Sequence, residues 1–130
     1  MPKRALLVMA FIACVPHRDL PPDQIEKLDK LDEVMDVQAT VADPQWGKIG
    51  QDSYSDADWA AFADMSTRIQ STSRKIHQFS KGPQFDQLAE DLHSKAEKLG
   101  AAAAAKDVKT TSDTLASMKA TCKECHSKFK

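Results

Sequence analysis

Glycine and aromatic residues are both scarce in this chain. Four of its 130 residues are glycine and 6% are aromatic, a composition that argues against a β-sandwich and favours a helical protein. Its formal net charge of −1 provides no basis for nucleic-acid binding. With 42% hydrophobic and 28% charged residues, the chain can bury one core and remain soluble. We therefore expect a single small domain.

The apolar run near the N-terminus, residues 5–13, is too short to span a bilayer as a stable helix. Lys3 and Arg4 precede it, and a basic start followed by a short apolar segment is typical of a secretory signal. The run leads into Phe11-Ile12-Ala13-Cys14, which resembles the lipobox of bacterial lipoproteins, where the cysteine is lipidated. An ordinary cleaved signal is the alternative interpretation.

Removal of this signal region, residues 1–14, would leave a tether over residues 15–22 and a domain over residues 23–130. The loss of Lys3 and Arg4 changes the formal charge from −1 to −3, which would steer the protein only weakly towards basic partners. Export by such a signal predicts a periplasmic location, with a membrane anchor if Cys14 is lipidated.

Cysteine is also rare, with three residues in the chain. Two of them lie in Cys122-Lys123-Glu124-Cys125-His126, and C-x-x-C-H is the attachment signature of a c-type haem. Two thiols can add to the two vinyl groups of one porphyrin, and the adjacent imidazole can ligate the iron. A thioredoxin-type dithiol would need strand–helix alternation, and a zinc site would need further ligands, whereas His77 and His93 are isolated. The motif therefore predicts covalently attached haem.

Hydrophobic residues recur at three- and four-residue steps in four segments, which is the period of amphipathic helices. The first segment covers about residues 22–42, with a stripe of Ile25, Leu28, Leu31 and Met35. Local signals mark the boundaries: Asp43-Pro44 ends the first helix, Ser55 and Asp58 cap the second, Lys81-Gly82-Pro83 introduces the third, and Asp107 opens the fourth. Short connections between four such helices predict an all-α fold, an antiparallel four-helix bundle of up-down-up-down topology.

The fourth segment carries the motif on its buried stripe. Leu115, Met118, Cys122 and Cys125 alternate steps of three and four residues, so both thiols point towards the core. His126 lies one helical turn beyond Cys122 and therefore faces the same side. This placement predicts that haem lies inside the bundle, with His126 as the proximal ligand.

A bundle with C-x-x-C-H near its C-terminus resembles the class II c-type cytochromes, which include cytochrome c-prime. The resemblance covers residues 22–130 in plan and is most specific over 118–130, where Phe129 and Lys130 match an aromatic and a basic residue after the histidine. Arginine is commoner at the basic position. The resemblance implies one haem c, attached through Cys122 and Cys125, with Lys130 near it.

The resemblance also implies that the first helix lines the distal side of the haem. Met35 is then either the sixth ligand of the iron or a non-ligating residue over an open site. Leu28 and Leu31 are the expected neighbours in the pocket, and Lys27 and Lys30 are candidates to bind a haem propionate.

Two functions follow from these alternatives. Ligation by Met35 predicts a periplasmic carrier of single electrons between redox partner proteins. An open site predicts a protein that binds a diatomic gas, nitric oxide or carbon monoxide. An enzyme such as a peroxidase is not expected, because the first helix offers no distal histidine or arginine. The resemblance further implies that homodimers can form through the first two helices.

Overall fold

A computed structural model describes residues 19–130, and every regular element in that part of the chain is a helix. The predicted signal region, including Cys14, and the first half of the predicted tether, residues 15–18, lie outside the described residues. The helices are α1 (Pro22–Ile25), α2 (Leu31–Trp46), α3 (Asp56–Lys75), α4 (Pro83–Ala104) and α5 (Val108–Phe129), and a 3-10 helix over Ile76–Phe79 follows α3. Within residues 19–130, every helix is too short or too polar to span a membrane.

The four long helices form a closed ring in which each helix packs against the next and α2 also contacts α5. Contacts run in opposite directions along neighbours: Ser66 of α3 bonds to Ala96 of α4, whereas the later residue Ser73 meets the earlier residue His93. The prediction of an all-α, antiparallel four-helix bundle is therefore confirmed.

Three predicted helix starts are confirmed. The Ser55 hydroxyl accepts from the Asp58 amide, and the Asp58 carboxylate accepts from the Ser55 amide, which completes the capping box of α3. Pro83 is the first residue of α4, and Gly82 before it has a φ of 113°, a conformation that favours glycine. Asp107 caps α5 by accepting from the Thr110 amide at 3.1 Å.

The prediction of one continuous helix over residues 22–42 is wrong, because the chain leaves the helical path between α1 and α2. Lys30 is extended, with φ −128° and ψ 140°. The buried Lys75 of α3 donates to the Glu26 carbonyl oxygen at 2.6 Å and thus satisfies the end of α1. Ile25 and Leu28 still reach the core, but not from the helix that carries Met35.

The predicted end at Asp43-Pro44 is also wrong, since α2 continues through Pro44 to Trp46. Proline lacks an N–H and strains the preceding turn, which normally ends a helix. Here Pro44 is exposed and lies two residues before the end of α2, so only the last turn is affected. The extra turn adds Trp46 to the helix face that carries Met35.

The buried core runs through the whole bundle, and it contains most of the apolar residues that recur at helical spacing in the sequence. Phe62, Met65 and Ile69 of α3 are buried as predicted, and Leu115 and Met118 anchor α5. In α2, however, the buried apolar residues are Val34, Val37, Val41 and Ala42. Leu31 and Met35 are only partly buried beside this face.

Small residues bring α3 and α4 together, and this pair has the most extensive contact in the bundle. The Ser66 hydroxyl donates to the Ala96 carbonyl oxygen at 2.6 Å and accepts from Gln70 Nε2 at 3.1 Å. A Cβ atom on Gly100 would lie 2.5 Å from Ser66 Oγ and 3.3 Å from Ser66 Cβ. Glycine at this position therefore leaves room for the Ser66 hydroxyl, which would have to move if a Cβ atom were added.

We expect Gly100→Ala to leave the free energy of unfolding unchanged or to lower it. Alanine gains about 1 kcal/mol of helix propensity over glycine, but Ser66 must then give up a hydrogen bond worth about 1 kcal/mol. In a Ser66→Ala background the same substitution should raise the free energy of unfolding by about 0.5–1 kcal/mol. Chemical unfolding of the four proteins of this double-mutant cycle measures the difference, and equal effects in both backgrounds would contradict it.

Candidate functional site

A cavity of about 350 Å³ lies between α2 and α5, the two helices that close the ring. Of the helix pairs that make up the ring, α2 and α5 have the sparsest contact. Residues of α3 and α4 form its floor. The lining consists of Met35, Gln38, Ala39, Ala42, Asp43 and Trp46 from α2, Met65 and Ile69 from α3, Leu92 from α4, and Met118, Lys119, Cys122, Lys123, His126 and Lys130 from α5 and its end.

The C-x-x-C-H residues lie along one wall of this cavity. Cys122 and His126 line it directly, and a smaller pocket of about 20 Å³ is lined by both of them and by Cys125. Both thiols are free and partly buried. Successive turns of α5 thus bring two thiols and an imidazole to the same space, as their spacing predicts.

Residues next to the motif hold α5 against α4. The Thr121 hydroxyl donates to Asp91 at 2.9 Å and accepts from Lys95 at 2.7 Å, and Lys95 also pairs with Asp91 at 2.8 Å. Near the end of α5, the rings of Phe129 and Phe85 pack edge to face with centroids 5.4 Å apart. These contacts bracket the motif and fix how α5 is rotated relative to the cavity.

The opposite wall is one face of α2. Its lining residues follow Met35 at helical spacing, namely Gln38, Ala39, Ala42, Asp43 and Trp46. Met35 and His126 line both the main cavity and the smaller pocket. A thioether from one wall and an imidazole from the other therefore face a shared space.

A buried hydrogen bond fixes this wall to α3. Gln38 is one turn beyond Met35, and its Nε2 donates to Thr72 Oγ1 at 3.0 Å. Thr72 is fully buried, and its hydroxyl donates to the Ile69 carbonyl oxygen. Because an unpaired amide at this depth would be costly, the bond restricts both the rotation and the register of α2.

Burial sets the protonation of the motif residues. It raises the pKa of the Cys122 thiol to about 11, with smaller contributions from Cys125 and the carboxylate of Asp43. Burial also raises the pKa of Cys125. His126 is exposed as a residue, but partial desolvation of its ring, and then the positive charge of Lys130, lower its pKa below the usual range. At neutral pH both thiols are protonated and the imidazole is neutral, the form that ligates a metal.

This donor set fits a covalently held haem c. Haem c needs two thiols on one side of its ring, a neutral imidazole for the iron, and an apolar bed for the macrocycle. Cys122, Cys125 and His126 supply the first two requirements. The floor of Met65, Ile69, Leu92 and Met118 is buried and apolar and supplies the third.

The other residues predicted for the site lie in different places. Lys130 lines the cavity, as the resemblance implies. Leu28 belongs to the core and Leu31 packs against it, and neither lines the cavity or the smaller pocket. Lys27 and Lys30 are exposed and are likewise not part of either lining. Nothing in these positions supports a direct contact of the four residues with the cofactor.

Several lining residues were missed by the sequence analysis, above all Gln38, Asp43, Trp46, Lys119 and Lys123. Those of α2 mix amide, carboxylate and indole groups and so form no apolar stripe. Helical spacing from Met35, continued past Pro44, is the signal that would have identified these α2 residues.

The fold and the cavity define a class of protein, four-helix bundles that present a C-x-x-C-H motif to an internal space. A family model described as Cytochrome C' matches residues 26–130. The chain belongs to this family, whose members carry covalently bound haem c. No curated protein and no solved structure matches the chain significantly.

The haem-free chain provides a test of the cavity wall. In the folded state the Cys122 thiol has a pKa of about 11 against an ordinary value of 9.0. Between these two values the unfolded chain loses this proton and the folded chain keeps it, so stability falls as pH rises through the window. We expect alkylation of Cys122 by iodoacetamide to accelerate mainly near pH 11 and to remain slower than at Cys125.

Peptide mapping by mass spectrometry resolves the two thiols, and the same chain in denaturant serves as the control. Equal rates at both cysteines in the folded chain, with a midpoint near pH 9, would show that Cys122 does not lie in a buried wall.

Proposed function

We propose that this protein is a periplasmic cytochrome that transfers single electrons through one haem c. Cys122 and Cys125 form the thioether bonds, His126 is the proximal ligand, and Met35 is the distal ligand. The bound haem supplies the one-electron chemistry of its iron, and the protein supplies ligands, burial and orientation.

One observation carries the choice of electron transfer over gas binding: Met35 and His126 line the same cavity from opposite helices. A six-coordinate iron needs a ligand from each wall, and Met35 is the α2 residue of this lining whose side chain is an established axial ligand. Met35 is partly buried and packs against the core, so its position is defined by the fold.

The surroundings of Met35 support ligation. Gln38, one turn away, is bonded to Thr72 of α3, so the wall that carries the thioether is restrained before it meets a ligand. Restraint of this kind lowers the entropy that ligation would otherwise cost. A methionine ligand also raises the reduction potential of a haem iron, which suits an electron carrier.

Location follows from the family, whose proteins are periplasmic. We propose that residues 1–14 direct export, that a lipid at Cys14 anchors the protein to a membrane, and that residues 15–22 act as the tether. Redox partner proteins would then meet the domain from the periplasmic side of that membrane.

The attachment residues can be tested by substitution. Cys122→Ser and Cys125→Ser should each leave one thioether bond, and the double variant should leave none, because each thiol bonds to one vinyl group. Mass spectrometry of denatured protein, and haem extraction with acidified acetone, measure the covalent bond directly.

Cys14→Ser is the matched control for these variants. It should keep covalent haem and lose only the lipid, which separates the two proposed uses of cysteine. Covalent haem in the Cys122→Ser/Cys125→Ser protein would refute the assignment.

The distal ligand can be tested with carbon monoxide. The reduced native protein should show an almost unchanged Soret band on exposure to the gas, since Met35 occupies the sixth position. Met35→Leu keeps the side-chain volume and removes the sulfur, so this variant should bind carbon monoxide readily.

Met65→Leu is the matched control, because Met65 lines the same cavity from α3. Its spectra should match those of the native protein. Rapid carbon monoxide binding by the native protein, unaffected by Met35→Leu, would instead identify an open site and favour gas binding.

A further inference from the structure

Three lysines line the rim of the cavity along α5: Lys119, Lys123 and Lys130, here called the lysine rim. They follow the same face of the helix as His126, at helical steps, over about 16 Å. Lys123 and Lys130 are exposed, and Lys119 is partly exposed. Within residues 19–130, none of their amines has an ion-pair or hydrogen-bond partner.

Other lysines on the same helix are paired. Lys109 bonds to Asp113 at 2.7 Å, and Lys128 bonds to Glu124 at 3.0 Å, each across one helical turn. The residues three and four positions from the rim lysines include no aspartate or glutamate. Lys119 and Lys123 are instead one turn apart, an arrangement of like charges that destabilises a helix by a few tenths of a kcal/mol.

Local charge at the cavity is therefore opposite to that of the whole chain. The full sequence has a formal net charge of −1, whereas the cavity lining contains three lysines and one carboxylate, Asp43. The far wall differs again, since α2 contributes one charged residue to the lining, the carboxylate of Asp43, and no lysine or arginine. One lip of the cavity is cationic, and the other carries a single carboxylate.

We propose that the lysine rim is the docking surface for a redox partner protein with an acidic patch. This inference rests on the proposed function, because the rim is useful to electron transfer only if haem lies beside Cys122 and His126. Unpaired cations at the cavity attract an acidic surface over a Debye length and orient it before contact.

Asp43 on the opposite wall restricts how that partner can dock. The acidic patch of the partner is attracted to the lysines of α5 and repelled by Asp43, so the partner is displaced towards the wall that holds Cys122 and Cys125. Opposite charges on the two walls thus favour one orientation, which a uniform cationic surface would not do.

The test measures oxidation of the reduced haem protein by hexacyanoferrate(III), a small anionic oxidant that stands in for an acidic partner. One electron leaves the ferrous haem and reduces one hexacyanoferrate(III) to hexacyanoferrate(II). Stopped-flow rates would be compared at about 0.01 M and about 1 M salt, where the Debye length is about 30 Å and about 3 Å.

We expect Lys119→Glu/Lys123→Glu to slow this reaction by about tenfold at low salt and hardly at all at high salt. Lys27→Glu/Lys98→Glu is the matched control: it changes the net charge equally at two exposed lysines outside the cavity lining. It should stay within about twofold of the native rate. With the cationic oxidant tris(1,10-phenanthroline)cobalt(III), which takes one electron from the ferrous haem and becomes cobalt(II), the rim variant should become faster than the native protein.

Equal slowing by both double variants would overturn the inference, because it would show that net charge acts without a defined surface. A native rate that does not fall with salt would overturn it as well.

A second measurement does not depend on electron transfer. Hexacyanochromate(III), a redox-inert paramagnetic anion, should broaden the backbone amide signals of residues 119–130 and leave those near Lys27 and Lys98 sharp. If these signals broaden but the haem cannot be reduced reversibly, the proposed electron transfer is refuted and the lysine rim still stands as a docking surface. Absence of such broadening in an active cytochrome would refute the surface alone.

Discussion

The close contact of α3 with α4 determines the shape of the rest of the bundle. Ser66 and Gly100 let the two backbones approach on one side of the core, where only small side chains fit. Large side chains such as Met65 and Leu92 lie further round, at the floor of the cavity. The space for a cofactor lies over these bulky residues, between α2 and α5, whose direct contact is the sparsest in the ring.

Local signals predicted most of the fold; one error arises from a long-range contact and the other from a local signal with little effect. Helix starts at Ser55 and Pro83 depend on residues within one turn, so they can be read from the sequence alone. The break before α2 depends on Lys75, whose amine reaches back 49 residues to Glu26. Such a bond has no local signature. Pro44 is the reverse case, a strong local signal whose effect is small because it falls in the last turn.

The two walls of the site also differ in how far their residues could be predicted from the sequence alone. On α5 the chemistry requires two thiols and an imidazole at fixed spacing, and those residues are recognisable wherever they occur. On α2 only Met35 could be predicted as part of the site. Gln38 and Asp43 belong to no motif whose spacing is fixed by the chemistry of a cofactor. Their place in the lining depends on how α2 is rotated, which the buried bond from Gln38 to Thr72 restricts. Leu28 precedes the break before α2 and so does not share a helix with Met35, whereas Leu31 is the first residue of α2 and packs against the core outside the cavity lining.

Charge is unevenly distributed around the cavity, so the net charge of the chain does not describe the site. A total of −1 suggests a nearly neutral surface, yet the cavity lining has three lysines, on α5 and at its end, and one carboxylate, Asp43 of α2. Asp43 and the lysines are opposite charges on two walls of one cavity and attract each other where the direct packing of α2 and α5 is sparsest. An interaction of this kind is screened by salt at the exposed rim and much less beside the buried floor. The electrostatics of the site therefore depend on the charges at its two lips rather than on the sum over the chain.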